Sequence, residues 1–147
     1  AWRQVVTGAF GEFDLYLYLR AGGVEEAEAR GVAAGWGGGG ISLYTSLPDA
    51  IGKVDDVVTH FAIVWDSADD LAEFETSYER VIANLGFEGP RRSGSGEWTW
   101  SAARRGEYGS AIWDRSALRV DVVFGTDEQA VRASIDALRE YAQRSTR

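Results

Sequence analysis

A chain of 147 residues is long enough for one domain with a real core and too short for two of ordinary size, so residues 1–147 are expected to form a single domain. Its 23 acids against 15 bases give a formal charge of −8, which repels phosphate backbones and anionic lipid and speaks against nucleic acid or a membrane surface as partner. Cysteine is absent, which excludes disulfides, a thiolate nucleophile and Cys-ligated zinc.

No apolar run approaches the ~20 residues of a membrane-spanning helix, so no insertion into a bilayer is expected. The absence of methionine suggests a segment of a longer product. Six Trp, six Tyr and six Phe argue for a packed interior rich in large rings, and exceed what a core of this size obviously needs.

In chain order, Thr7 is expected to cap a helix whose apolar positions Phe10, Phe13 and Leu17 recur at helical spacing, widened by Leu15 and Tyr18 and stopped by Gly22-Gly23. A short helix over Val24 to Ala34 follows, ended by Gly35. Ile41 to Thr45 reads as a strand, Ser46 to Asp56 as a loop and Val57 to Trp65 as a longer strand. Ser67, with an acid three residues on, caps a helix whose inner stripe is Leu71, Phe74, Tyr78, Val81 and Leu85, closed by Gly86.

Gly89 to Gly96 is the most loop-like stretch and a candidate hinge between halves. Three short strands, Trp98 to Ala103, Tyr108 to Trp113 and Leu118 to Phe124, are joined by turns at Arg105-Gly106 and Arg115-Ser116. Thr126 and Gln129 form a capping box for a last helix that buries Val131, Ile135, Leu138 and Ala142. The expected class is α+β, in the order ααββαβββα, with a largely antiparallel sheet of about five strands and helices packed on it. A weak internal repeat links Ala62 to Trp65 before a Ser-capped helix with Val120 to Phe124 before a Thr-capped one.

The run Gly35-Trp36-Gly37-Gly38-Gly39-Gly40 invites a phosphate-cradle reading, but phosphate loops leave a strand and open a helix, whereas this run does the reverse and lacks a following Gly-Lys-Ser/Thr. It reads as a helix stop and tight turn. Trp36, held between glycines, is expected to plug the gap between helix and sheet, with a cost of about 3–5 kcal/mol for removing its ring. The alternative places Trp36 at the mouth of a cleft.

His60 is the single histidine, which excludes a two-histidine zinc site; Phe61, Ile63 and Trp65 share one face of its strand and His60 the other. The acidic pairs Glu25-Glu26 and Asp69-Asp70 belong to first helical turns, where the macrodipole favours negative charge. None, nor Asp55-Asp56, has EF-hand spacing. Arg91-Arg92 and Arg104-Arg105 beside Trp98 and Trp100 read as loop and hairpin-end cations within an acidic protein. No catalytic, metal or cofactor residue is therefore expected. Trp36, Tyr44 and His60 are the binding candidates, and an enzyme would need His60 or Tyr44 beside a carboxylate.

Trp2-Arg3-Gln4-Val5-Val6, Gly11-Glu12-Phe13-Asp14-Leu15, Ala33-Ala34-Gly35-Trp36-Gly37-Gly38, Leu43-Tyr44 and Val64-Trp65-Asp66 leading into Ala72-Glu73-Phe74 resemble the C-terminal region of an uncharacterised bacterial metallopeptidase family. In that family a His-Glu-x-x-His helix lies upstream; the motif is absent here, so the resemblance implies that zinc chemistry belongs to another part of the protein. The family turn Gly-Trp-Gly-Gly-Asp-Arg-Tyr has Gly39, Gly40 and Ile41 in its last three places here. The resemblance implies a non-catalytic accessory domain whose partner is the rest of its own polypeptide or another protein. The excess of rings implies an alternative, a binding module for a small ligand or peptide.

Overall fold

A computed structural model describes residues 2–46, 56–87, 91–93, 96–102 and 106–145. The expected Ser46 to Asp56 loop and Arg104-Arg105 fall largely outside them, as do Gly89, Pro90, Gly94 and Ser95 of the Gly89 to Gly96 stretch. The described elements are β1 (Trp2–Ala9), α1 (Glu12–Ala21), α2 (Glu26–Ala34), β2 (Trp36–Ser46), β3 (Val57–Trp65), α3 (Ala68–Asn84), β4 (Arg91–Ser93), β5 (Glu97–Ala102), β6 (Glu107–Asp114), β7 (Arg119–Gly125) and α4 (Glu128–Ser145). The class is α+β, and the strands form one sheet of seven in the order β1-β2-β3-β7-β6-β5-β4, every pairing antiparallel.

Two strands correct the expected five. Thr7 caps no helix; it lies in β1 opposite Ser42, and α1 starts five residues later from Gly11. An edge strand exposed along its whole length leaves no alternation of buried and exposed positions to read. Within α1, Leu15 and Leu19 are the buried pair, while Phe13 and Leu17, expected inside, are 68% and 48% exposed. The second correction is β4, three exposed residues where a hinge was expected.

The glycine run is a further correction. Gly35 ends α2, but Trp36 onward is already strand, paired with β3 from Trp36 opposite Trp65, with a bulge before Gly38. Gly39 sits so close to its neighbours that a Cβ there would lie 2.7 Å from the Phe10 carbonyl oxygen and 2.9 Å from that of Ala62. The glycines thus let the backbone of the α1 entry lie on the sheet.

Ser67 does cap α3, its Oγ accepting from the Asp70 amide at 3.2 Å. Leu85, expected on the inner stripe, is the C-cap and is 51% exposed. Thr126 is not the cap of α4: Asp127 Oδ1 takes the Ala130 amide at 3.1 Å, while Thr126 Oγ1 accepts from the Val57 amide at 3.0 Å and so ties the end of β7 to the start of β3.

The larger core lies on one sheet face, where Phe61, Ile63, Trp65, Val120, Val122, Ala111, Trp98 and Trp100 meet Leu15 and Leu19 of α1, Ala29 and Val32 of α2, and Leu71, Phe74, Tyr78, Val81 and Ile82 of α3. A smaller core on the other face joins Val58 and Val123 to Val131 and Ile135 of α4. The two strand-then-helix echoes therefore lie side by side as β3 and β7, yet send their helices to opposite faces.

Candidate functional site

The larger core is a chain of rings. Phe10 stacks on Phe61 (centroids 5.2 Å), Trp65 on Phe74 (4.9 Å), Phe74 on Tyr78 (5.0 Å) and Tyr78 on Trp98 (5.9 Å), with Tyr18 edge-on to Phe61 (5.4 Å). At the end of the sheet where β3 begins and β7 ends, this packing stops short and leaves a pocket of about 240 Å³. Tyr18 and Tyr78 are part of its wall, together with Ile82, Phe87, Trp100 and Phe124; Thr59, Glu107 and Thr126 supply its polar groups. The rest of its wall is apolar, and at ~30 Å³ per water its volume equals about eight waters.

Each wall residue is placed by the local pattern of its element. Tyr78 is four residues beyond Phe74 on the inner face of α3, and Ile82 four beyond Tyr78, so the three stack along one stripe. Phe124 follows Val120 and Val122 by the two-residue period of β7 onto the α3 side. It is only half-buried because the pocket lies against it.

The Tyr18 and Tyr78 hydroxyls are 2.9 Å apart. Burial pushes the Tyr18 phenol up to about 12, an effect its hydrogen bond with Tyr78 partly offsets, and burial holds Tyr78, 1% exposed, well above the ordinary tyrosine value. Both stay neutral at any physiological pH.

The sequence-predicted candidates lie elsewhere. His60, Tyr44 and the Ser42 opposite His60 occupy the other sheet face, on the part beyond α4. His60 Nε2 lies 2.8 Å from Asp121 Oδ1, and Asp121 is gripped by Arg119 through two bonds of 2.7 Å. The carboxylate that an enzyme reading requires is thus beside His60, but its charge is already taken up by a bidentate guanidinium, which weakens its pull on the imidazole. Tyr44 has no carboxylate within hydrogen-bond reach among the described residues. Trp36 is half-buried against the larger core, its Nε1 donating to the Phe10 carbonyl at 2.9 Å. Trp36→Ala is expected to cost about 3 kcal/mol, read as a lower denaturation midpoint, because part of the ring is solvated already.

Asp121 was not a sequence candidate, although a lone acid in the run Val120-Asp121-Val122-Val123 was the available signal. Burial alone would raise its carboxyl; the hydrogen bonds from Arg119 and His60 outweigh burial and hold it below the ordinary value. A depressed carboxyl stabilises the fold fully above the unfolded value near pH 4 and loses that contribution as pH falls through the folded value. Asp121→Asn is therefore expected to lower stability at neutral pH and to flatten its decline below about pH 4, measured by urea titrations across that range.

A small void of about 10 Å³ lies among Leu71, Phe74, Trp98 and Trp113, and wider clefts lie at the surface. One of about 560 Å³ lies between α4 and the β5–β6 strands, where Arg139 is clamped by Glu97 and Asp136 and Arg132 by Glu128. Among the described residues no group of three or more His, Asp or Glu is placed to hold a metal ion, and no helix is long and apolar enough to cross a membrane.

Fold and site together define an α+β domain with an aromatic pocket in its main core. The chain belongs to the family described as Domain of unknown function (DUF8575), whose model matches residues 3–135. No curated protein and no solved structure matches it.

Proposed function

We propose that the chain is a non-catalytic binding module that takes a small, predominantly apolar molecule into the pocket between Tyr18, Tyr78, Trp100 and Phe124. The observation that carries this reading is the break in an otherwise continuous aromatic core. A space of about 240 Å³ lined by rings forfeits packing contacts that a ligand would restore. A dry cavity of about 150 Å³ is already enough to bind benzene in another protein.

Leu85 stands at this pocket and is 51% exposed, so a larger side chain there can fill the space without disturbing the core. Leu85→Trp is expected to abolish binding of ethylbenzene in calorimetric titrations while moving the melting temperature by no more than a few degrees. Equal binding by the variant would contradict the reading.

The sequence resemblance supports a second element, that this module serves as accessory to a zinc-peptidase-like part of the same polypeptide or to a protein partner. Its test is the coding sequence upstream: a His-Glu-x-x-His helix there is expected, and an upstream region without one would remove the resemblance as support.

A further inference from the structure

Tyr18 and Tyr78, both in the pocket wall, have one hydrogen bond between two hydroxyls. Two phenols facing each other at 2.9 Å share one proton: one hydroxyl donates, the other accepts, and the accepting hydroxyl keeps its own O–H. Among the described residues neither hydroxyl makes another hydrogen bond, and that second O–H has no acceptor there. It cannot be lost by ionisation, because both phenols titrate far above neutral pH. A donor left unsatisfied in a buried wall is costly, and an occupant that supplies an acceptor at that point removes the cost.

The charges around the pocket narrow the class further. Among the described residues of the lining Glu107 is the one that is charged, and the chain as a whole carries −8. An anionic ligand would lose its hydration and meet a field of its own sign, with no cation among the described lining residues to offset either. A ligand that is only a donor would leave the spare O–H where it is. From these observations, and resting on the binding reading above, we propose that the pocket selects an uncharged single-ring aromatic ketone, ester or ether, whose oxygen accepts from the Tyr18–Tyr78 pair while its ring lies among Ile82, Phe87, Trp100 and Phe124.

Acetophenone, ethylbenzene and benzoate are matched in size and differ in the feature at issue. Calorimetric titration of the unaltered chain is expected to show acetophenone binding roughly threefold to tenfold tighter than ethylbenzene, the range of one net hydrogen bond. Benzoate is expected to bind at least about tenfold more weakly than acetophenone. In the double variant Tyr18→Phe with Tyr78→Phe, acetophenone should lose its advantage while ethylbenzene binds as before. The same pair of ligands on Tyr18→Phe alone, which leaves the fully buried Tyr78 untouched, should retain the advantage, since the remaining hydroxyl still donates. Equal affinities for acetophenone and ethylbenzene in the unaltered chain, or benzoate as the tightest of the three, would overturn the assignment and leave the pocket itself standing. Binding of none of the three would overturn the pocket as well.

Discussion

Tyr78→Ala is expected to lower the stability of the domain by about 3–5 kcal/mol, seen as a shift of the urea midpoint with little change in slope. The ring is 1% exposed and lies against Phe74, Trp98, Trp100, Phe61 and Tyr18 at centroid distances of 5.0 to 6.5 Å. It is where helix α3, helix α1 and both halves of the sheet meet. Truncation removes the transfer free energy of the ring and leaves a void next to a pocket that is already there, which such tightly paired rings cannot close by relaxing. Tyr78→Phe keeps the ring and is expected to cost about 1 kcal/mol, since it deletes one half of a hydroxyl pair whose other member can still turn toward the pocket.

Gly125→Ala is the second large effect, at about 3 kcal/mol or more, and its cause is backbone rather than side-chain packing. A Cβ at Gly125 would lie 2.1 Å from the Val57 carbonyl oxygen and 3.0 Å from the Val58 Cα, on the neighbouring strand of the pair at the centre of the sheet. The same carbonyl accepts from the Thr126 amide at 3.0 Å, and the Val57 amide donates to Thr126 Oγ1, so neither strand can retreat without breaking the clasp. Because Val57, Gly125 and Thr126 also line the pocket, the substitution should lower affinity for a pocket ligand along with stability. Ala at this position with an unchanged midpoint would show that the β3–β7 clasp is not rigid.

What the sequence made legible follows from burial. In β3 the order Phe61, Ile63, Trp65 alternates with His60, Ala62 and Val64, because one side faces a deep core, and that alternation was readable. Strand β1 has no such side, and the irregular register between Gln4 and Val6 breaks what period remains. From sequence, Thr7 therefore looks like a helix cap and Phe10 like part of the helix that follows. In α1 the outward Phe13 and Leu17 and the inward Leu15 and Leu19 have the same four-residue spacing, so the period could not say which stripe faced in.

The candidate site was legible only as an excess of rings. Its walls come from α1, β3, α3, β5, β6 and β7, and Tyr18 and Tyr78 are 60 residues apart in sequence. No linear spacing encodes such a pair. His60 and Asp121 likewise meet only because β3 and β7, distant in the chain, are neighbours in the sheet. The residue singled out at the glycine run, Trp36, faces the core through its contact with Phe10 rather than the pocket.

The most direct test of the central claim is a methyl-NMR titration of the chain with acetophenone. Saturable shifts are expected for the methyl signals of Val57, Ile82 and Leu85, which line the pocket, with Val131 and Ile135 on the opposite sheet face unmoved. Shifts absent at all five residues, or equal on both faces, would contradict it.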